Sequence, residues 1–252
     1  MSNVELHFHL LAGVDDGPAS IDESVALAAT AVSQGTGTIV ATPHVSSRRG
    51  ADPLAVGDCV RELRERLAGE HVEVAVLPGG ELDHALIGSL TQRELDAIAN
   101  GPRGARWLLV ESPLAGFGSA FTAATDDLRR RGFGVVLAHP ERARGAGGDS
   151  WREVIVHELD RGSLLQVNAW SLAGCHGDAA REAACELLRN RRATVLASDA
   201  HGGVRAPALP LAVERAAAAG LRPLDARRLA AGNPRRLIDR GLSSTARLAD
   251  AA

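Results

Sequence analysis

Seven short apolar runs alternate with longer segments of helical period from one end of this chain to the other, with no linker-like Pro/Ser/Gly tract between them. VELHFH at Val4, GTIVAT at Gly37, VEVAVL at Val72, RWLLVE at Arg106, GVVLAH at Gly134, SLLQVN at Ser163 and ATVLAS at Ala193 read as strands. The segments between them carry helix starts. Ser20 with Glu23, Thr91 with Glu94 and Ser150 with Glu153 have capping-box spacing, and Asp52-Pro53 and Asn233-Pro234 place a cap before a first-turn proline. Gly69, Gly132, Gly162 and Gly220 are candidate helix stops. Strand then helix, repeated over 252 residues, is the order and size of a β/α barrel. The expectation is an α/β chain, a single domain over residues 1–252 forming a distorted seven-stranded (β/α)7 TIM-like barrel. A doubly wound open sheet has the same alternation but normally carries a Gly-rich phosphate turn after its first strand, where this chain has HFHLLAGVDDG.

Composition excludes several chemistries. The chain has no lysine, so all 28 basic residues are arginine. That rules out Schiff-base catalysis, a Walker-type phosphate loop and a site built on carbamylated lysine. A net charge of −3 with scattered arginines gives no footprint for nucleic acid or anionic lipid. Cys59, Cys175 and Cys185 are odd in number and lack CxxC spacing, which fits a reducing compartment better than a disulfide framework. No apolar run approaches the length of a membrane span and MSNVELHFH lacks signal-peptide character, so a cytoplasmic protein without membrane insertion is expected.

Nearly every strand candidate ends in a polar or metal-competent side chain: His7 and His9, His44, Glu81, Glu111, His139, Asn168, and Asp199 with His201. In a β/α barrel these carboxyl ends converge on one face. His7 and His9 are two apart on a strand, so both point to the same side and can share an ion. With Asp16 the set holds five histidines and three carboxylates besides Glu111, too many for one ion. A cluster of two or three is implied, with Glu81 or Asp16 suited to bridging. Mixed His/carboxylate ligation favours Zn, Mn or Fe over a thiolate or all-oxygen site. Such clusters lower the pKa of water and clamp phosphoryl oxygens, so the set points to phosphate ester hydrolysis. Arg142, three residues beyond His139, offers a planar fork for phosphate. Glu111 reads as a buried ligand partner or a proton carrier. His71, His84, His157 and His176 fall in helix-like or loop positions and receive no role, and adjacency alone does not orient Cys175 and His176 as a nucleophile–base pair. The chain contains no GxSxG.

The runs ELHFHLLAGVDDGP, TIVATPHV, LPGGELD, LLVESP, VVLAHPERAR, LLQVNAWSL, VLASDAHG and GNPRRLI resemble, in order, the motifs of the PHP (polymerase and histidinol phosphatase) superfamily. More narrowly they resemble its capsular-polysaccharide-type bacterial tyrosine-protein phosphatases. The resemblance runs from Glu5 to Ile238. It implies a manganese-dependent phosphatase with a trinuclear site whose ligands are His7, His9, Asp16, His44, Glu81, His139, Asp199 and His201. Asp16 is chosen over Asp15 because the family uses the second acid of the DDG run. The resemblance gives Glu111 a catalytic place and Arg142 the substrate phosphate, with Arg205 as a further active-site arginine. It also implies a phosphotyrosyl protein as substrate, a bacterial tyrosine kinase as partner, and a role in regulating polysaccharide synthesis or export. Glu5, Phe8 and Ala143 depart from the family pattern, and loss of an aromatic at position 143 favours smaller phosphomonoesters, histidinol-phosphate-like or sugar phosphates. A catalytically weak metal-binding regulatory module is the alternative from another class.

Overall fold

The computed structural model describes residues 2–47 and 50–244, so both ends of the expected 1–252 domain, residue 1 and residues 245–252, lie outside the described residues. All seven expected strands are present. They comprise β1 (Asn3–Phe8), β2 (Thr36–Ala41) with β3 (His44–Val45), β4 (Ala75–Pro78) with β5 (Glu81–Leu82), β6 (Trp107–Glu111), β7 (Gly134–Ala138), β8 (Leu164–Asn168) and β9 (Ala193–Ala197). The helices between them are α1 (Ile21–Ser33), α2 (Val56–Gly69), α3 (Gln92–Ile98), α4 (Ser119–Arg130), α5 (Asp149–Asp160), α6 (Ala169–Leu172) and α7 (Asp178–Arg189), followed by α8 (Leu209–Ala218), α9 (Pro223–Arg227) and α10 (Asn233–Arg240).

Every strand pairing is parallel, in the orders β1-β2-β4 and β3-β5-β6-β7-β8-β9. The second and third strands are each broken in two. Pro43 has no N–H to give to a ladder. At the other break a Cβ on Gly79 would lie 2.6 Å from Val40 Cγ1, so backbone and side chain approach closely only because that position is glycine. Hydrogen bonds from Thr42 N to Phe8 O (2.9 Å) and from Glu81 N to Pro43 O (3.0 Å) carry the ladder across the breaks. At the carboxyl ends the last strand meets the first, through Asp199 N to His7 O (3.1 Å) and His9 N to Ala200 O (2.8 Å).

Two apolar clusters hold this frame. The larger lies between strands and helices and includes Phe8, Ile39, Leu108, Val110, Leu137 and Leu196. The smaller is made of strand residues such as Val4, Leu6, Val40, Trp107, Leu109 and Val136, together with Leu237 and Leu242 from the chain's last described segment. Trp107 Nε1 donates to Leu237 O at 3.0 Å and Arg235 Nη2 to Thr38 Oγ1 at 2.6 Å, so α10 stoppers the end of the frame opposite the strands' carboxyl ends.

The register of β1 slips between Glu5 and Phe8, where three steps on β1 face two on β2. This bulge, which simple alternation does not foresee, lets Leu6 join the inner cluster while Phe8 joins the outer one, with His7 and His9 on the side away from Phe8. Other differences from the sequence reading are local. Ser20 and Thr91 cap their helices, Thr91 with a complete capping box. Helix α5 starts at Asp149, so Ser150 lies inside its first turn. Asp52 caps only the turn before α2, through Leu54 N (2.9 Å). Asn233 is already helical, reached through a wider turn at Arg228–Gly232, and its side chain donates to Thr194 O at 2.9 Å. Gly132, Gly162 and Gly220 take positive φ beyond their helices, whereas Gly69 stays helical and His71 turns the chain instead.

Phe8 is fully buried between the two histidines in sequence. Phe8→Ala is expected to lower unfolding stability by about 3–5 kcal/mol and Phe8→Leu by roughly 1.5 kcal/mol or less, as measured by urea denaturation.

Candidate metal centre

The strand ends bring together the residues that the sequence reading singled out. His7 Nε2 lies 3.2 Å from His9 Nε2, 3.2 Å from Glu81 Oε2 and 3.2 Å from Asp199 Oδ1. His9 Nε2 lies 3.3 Å from each of the same two carboxylate oxygens. All four side chains are buried. Donor atoms spaced this evenly match the edges of a coordination shell with bonds of roughly 2.0–2.2 Å.

A second group contains His9, Asp16, His44 and His201. Asp16 Oδ1 is 3.2 Å from His201 Nε2 and 3.5 Å from His44 Nε2, and the His9 and His201 rings stack with centroids 3.6 Å apart. A third contains His44, Glu81 and Glu111, with His44 Nδ1 3.0 Å from Glu81 Oε2. His139 belongs to none of these groups. Its Nε2 lies 2.9 Å from Glu81 Oε1, while its Nδ1 is buried without a hydrogen-bond partner. Glu81 therefore touches His7, His9 and His44 with one oxygen and His139 with the other.

Backbone geometry aims several of these groups. Asp199 and His139 adopt left-handed φ values of 52° and 34°, conformations that cost energy in residues with a Cβ and turn both side chains just past their strands. Asn168 Nδ2 donates to Asp199 Oδ2 at 2.8 Å. Glu5, the longer acid of the first strand, accepts from Ser198 N at 2.9 Å and so holds the turn that carries Asp199. Burial pushes Glu5 up to about 7.

Asp15 and Asp16 divide the work. Asp15 Oδ2 accepts from His9 Nδ1 at 2.6 Å and from His44 N at 2.9 Å, and Oδ1 accepts from Gly17 N at 2.9 Å. Its bonds are spent on orienting others, whereas Asp16 is half exposed and faces the second group. Gln166 Oε1 accepts a bond from His7 Nδ1 at 3.0 Å and another from His139 N at 3.2 Å. The sequence reading gave no role to Asp15 or Gln166. Gln166 is two residues before Asn168 on β8, so strand alternation from that flagged strand end would have found it.

Both arginines reach the site. Arg142 Nη1 donates to Asp199 Oδ2 at 3.0 Å, and Arg205 Nη2 to Asp16 Oδ2 at 2.7 Å. The turn that carries Arg142 is pinned by Trp151 Nε1, which donates to Pro140 O at 2.9 Å. Ala143 is buried in the larger apolar cluster, so its side chain does not line the mouth of the site.

The electrostatics are those of a site built around cations. Burial opposes charge on His7, yet Glu81 and Asp199 outweigh it and raise this imidazole to about 9. Burial would also raise Glu81 and Asp199, but the surrounding histidines hold both well below the usual carboxylate range. Glu111 is pushed up to about 7 by burial and by the charge of Glu81. His201 is lowered to about 3 by burial and by His9. Glu81 and Asp199, packed against the same buried imidazoles, need compensating positive charge, which protons or metal ions can provide. The donor set, its spacing and the partnerless His139 Nδ1 fit divalent ions with mixed nitrogen and oxygen ligands.

Parallel strands that deliver a buried His/carboxylate cluster and two arginines at their carboxyl ends define a metal-centre α/β protein of the hydrolase type. Residues 3–239 match the family model described as capsular polysaccharide synthesis, CpsB/CapC, and the chain belongs to that family. It is 30% identical over 199 residues to tyrosine-protein phosphatase YwqE of Bacillus subtilis, covering 79% of this chain and 77% of that one. It is 28% identical over 207 residues to the putative tyrosine-protein phosphatase CapC of Staphylococcus aureus, covering 81% and 79%. A crystal structure from work on YwqE of B. subtilis and CpsB of Streptococcus pneumoniae, described as unique metal-dependent tyrosine phosphatases, superposes with a TM-score of 0.80. It has 26% identity and covers 97% of this chain and 98% of that one. The phosphotriesterase homology protein of Escherichia coli shares the fold alone, at a TM-score of 0.57 and 14% identity over 92% of this chain and 97% of that one.

Asp15→Asn keeps the shape but removes the charge that orients His9, and is expected to weaken metal binding about 10–100-fold in titrations followed by elemental analysis. pH supplies a second check. Because folding raises His7 from 6.5 to about 9, protonation of His7 stabilises the metal-free protein fully below pH 6.5 and that contribution is lost as pH rises through 9. The melting temperature of chelator-treated protein should therefore fall across this interval, and that of the ion-loaded protein should not, since the ion replaces the proton.

Proposed function

We propose that this chain is a metal-dependent phosphomonoesterase that removes phosphate from phosphotyrosine in proteins. The observation that carries the reading is the pair Arg142 and Arg205, each anchored on a carboxylate of the buried cluster. In this reading His7, His9, Glu81 and Asp199 hold one ion and Asp16, His44 and His201 hold a second. Glu81 and Glu111, which converge with His44, hold a third, with His139 on the other oxygen of Glu81. Of the two roles open to Glu111, ligand partner is favoured over proton carrier, because its carboxylate converges with Glu81 and His44. Manganese is the proposed metal, with iron and zinc as the other ions that such ligands accept. When bound, the ions supply positive charge for phosphoryl oxygens and lower the pKa of water at the site.

The protein's own groups do the positioning. Arg142 and Arg205 each keep N–H groups beyond those spent on Asp199 and Asp16, and these take phosphoryl oxygens. Asn168 fixes Asp199, which fixes Arg142, so the phosphate-binding arginine has little freedom when substrate arrives. Neither Cys175 nor Cys185 is called on as a nucleophile. Because the ligands run from His7 to His201, we take the chain to work as one domain. Family membership supports a role in polysaccharide synthesis, and we propose a role in its regulation or export with a bacterial tyrosine kinase as partner in the cytoplasm. No helix among the described residues is long and apolar enough to cross a membrane.

Arg142→Ala is expected to lower kcat/KM for a phosphotyrosyl peptide about 100- to 1,000-fold with metal content unchanged. In the parent protein the peptide should exceed histidinol phosphate and sugar phosphates in kcat/KM. The opposite order would assign the site to small phosphomonoesters.

A further inference from the structure

Four buried residues at the carboxyl ends of the strands close into a ring of polar contacts. Gln166 Oε1 accepts from His7 Nδ1 at 3.0 Å, and His7 Nε2 lies 3.2 Å from Glu81 Oε2. Glu81 Oε1 lies 2.9 Å from His139 Nε2, and His139 N donates back to Gln166 Oε1 at 3.2 Å. The two imidazoles stack with centroids 5.4 Å apart, one on each oxygen of Glu81. Strand register explains the reach: β7 and β8 pair Ala138 with Gln166, which places Gln166 beside the turn where His139 takes its left-handed φ of 34°. Packing does not account for an amide here. Leu164, on the same face of β8, belongs to the inner apolar cluster, whereas Gln166 is 1% exposed and its Nε2 is buried without a hydrogen-bond partner among the described residues. Burying those N–H groups unpaired costs free energy that a leucine in this place would avoid.

What the amide supplies is an acceptor of fixed orientation. A backbone N–H only donates, so the Gln166 atom that meets His139 N is the carbonyl oxygen and not the amide nitrogen. His7 Nδ1 meets the same oxygen and must donate as well, which assigns the proton of a neutral His7 ring to Nδ1. The lone pair is then on Nε2, the atom that lies among His9 Nε2, Glu81 Oε2 and Asp199 Oδ1. His9 is oriented by a carboxylate, Asp15. His7 is oriented by an uncharged group, which adds no negative charge to a buried space that already holds Glu81 and Asp199.

We propose that Gln166 is a positioning residue of the metal centre: its one amide oxygen sets His7 to bind an ion through Nε2 and holds the turn that brings His139 onto Glu81. A single uncharged side chain thus registers the ligands on both oxygens of the carboxylate that the cluster shares. The inference rests on the metal centre of the reading above and is independent of which phosphate ester is cleaved.

The test uses the full chain and Zn²⁺, with affinity from calorimetric titration of chelator-stripped protein and the state of each imidazole nitrogen from ¹H–¹⁵N NMR of the loaded protein. In the parent protein His7 is expected to carry a slowly exchanging proton on Nδ1 and to bind the ion through Nε2. Gln166→Leu, similar in bulk but without an acceptor, is expected to weaken Zn²⁺ binding about 10–100-fold and to lose that slow proton. Gln166→Glu, which keeps an acceptor oxygen, is expected to recover most of the affinity and to retain the proton on Nδ1. A side chain that only fills space gives the reverse order, with leucine tolerated and a buried glutamate not, and that result overturns the inference. So does a parent protein in which His7 binds the ion through Nδ1, a result read without any variant. A parent protein that takes up no ion overturns the inference and the phosphatase reading together. One that shows the expected His7 proton and order of variants, yet hydrolyses no phosphomonoester, supports the inference while removing the phosphatase reading.

Discussion

Glu81 is the point on which the rest of the structure bears. Its carboxylate is buried, shares two imidazoles with Asp199, and meets four histidines drawn from three strands: His7 and His9 at the end of β1, His44 at the start of β3 and His139 just after β7. A buried carboxylate pair of this kind is untenable without compensating positive charge, whether from protons on the imidazoles or from ions between them. Removing one histidine would leave a charge uncompensated, so the ligands depend on each other more than on any neighbouring apolar contact. The two arginines extend the same logic outward, since each is held by a carboxylate that also faces a histidine.

The backbone departs from regularity where this cluster needs it to. The bulge in β1 separates Leu6, in the inner apolar cluster, from the histidines that follow. Breaks at Pro43 and at Gly79–Gly80 divide the strands just before His44 and Glu81. Left-handed turns at His139 and Asp199 redirect side chains that regular strands would send along the frame. At the opposite end the chain is conservative: Trp107, Leu237 and Leu242 fill space, and α10 closes the inner cluster. The irregularities that aim the ligands thus sit at one end of the molecule and the apolar closure at the other, the division expected when a rigid scaffold presents a reactive face.

Much of this was legible in the residues. Alternating apolar runs placed all seven strands, and the polar residue closing each run named the cluster, because strand ends in such a fold share one face. What escaped was set by contacts that form only once the chain has folded. Asp15 and Asp16 are indistinguishable in a DDG run until His9 is seen to take the first and His201 to face the second. Gln166 hides inside an apolar strand, and its bond to His7 spans elements that only the fold brings together. Local start signals failed at Ser150 and Asn233 for a related reason: helix α5 begins a residue before Ser150, and the last helix continues a turn packed against the strands.

Metal held by this cluster is what makes the protein a catalyst in this reading. The most direct measurement is to strip the protein with chelator, add back Mn²⁺, count bound ions by elemental analysis and follow hydrolysis of p-nitrophenyl phosphate in the same samples. Two or three ions per chain, with turnover that appears only when they are present, is the predicted result. A stripped protein that takes up no ion, or one that takes up its full complement and hydrolyses nothing, would contradict it.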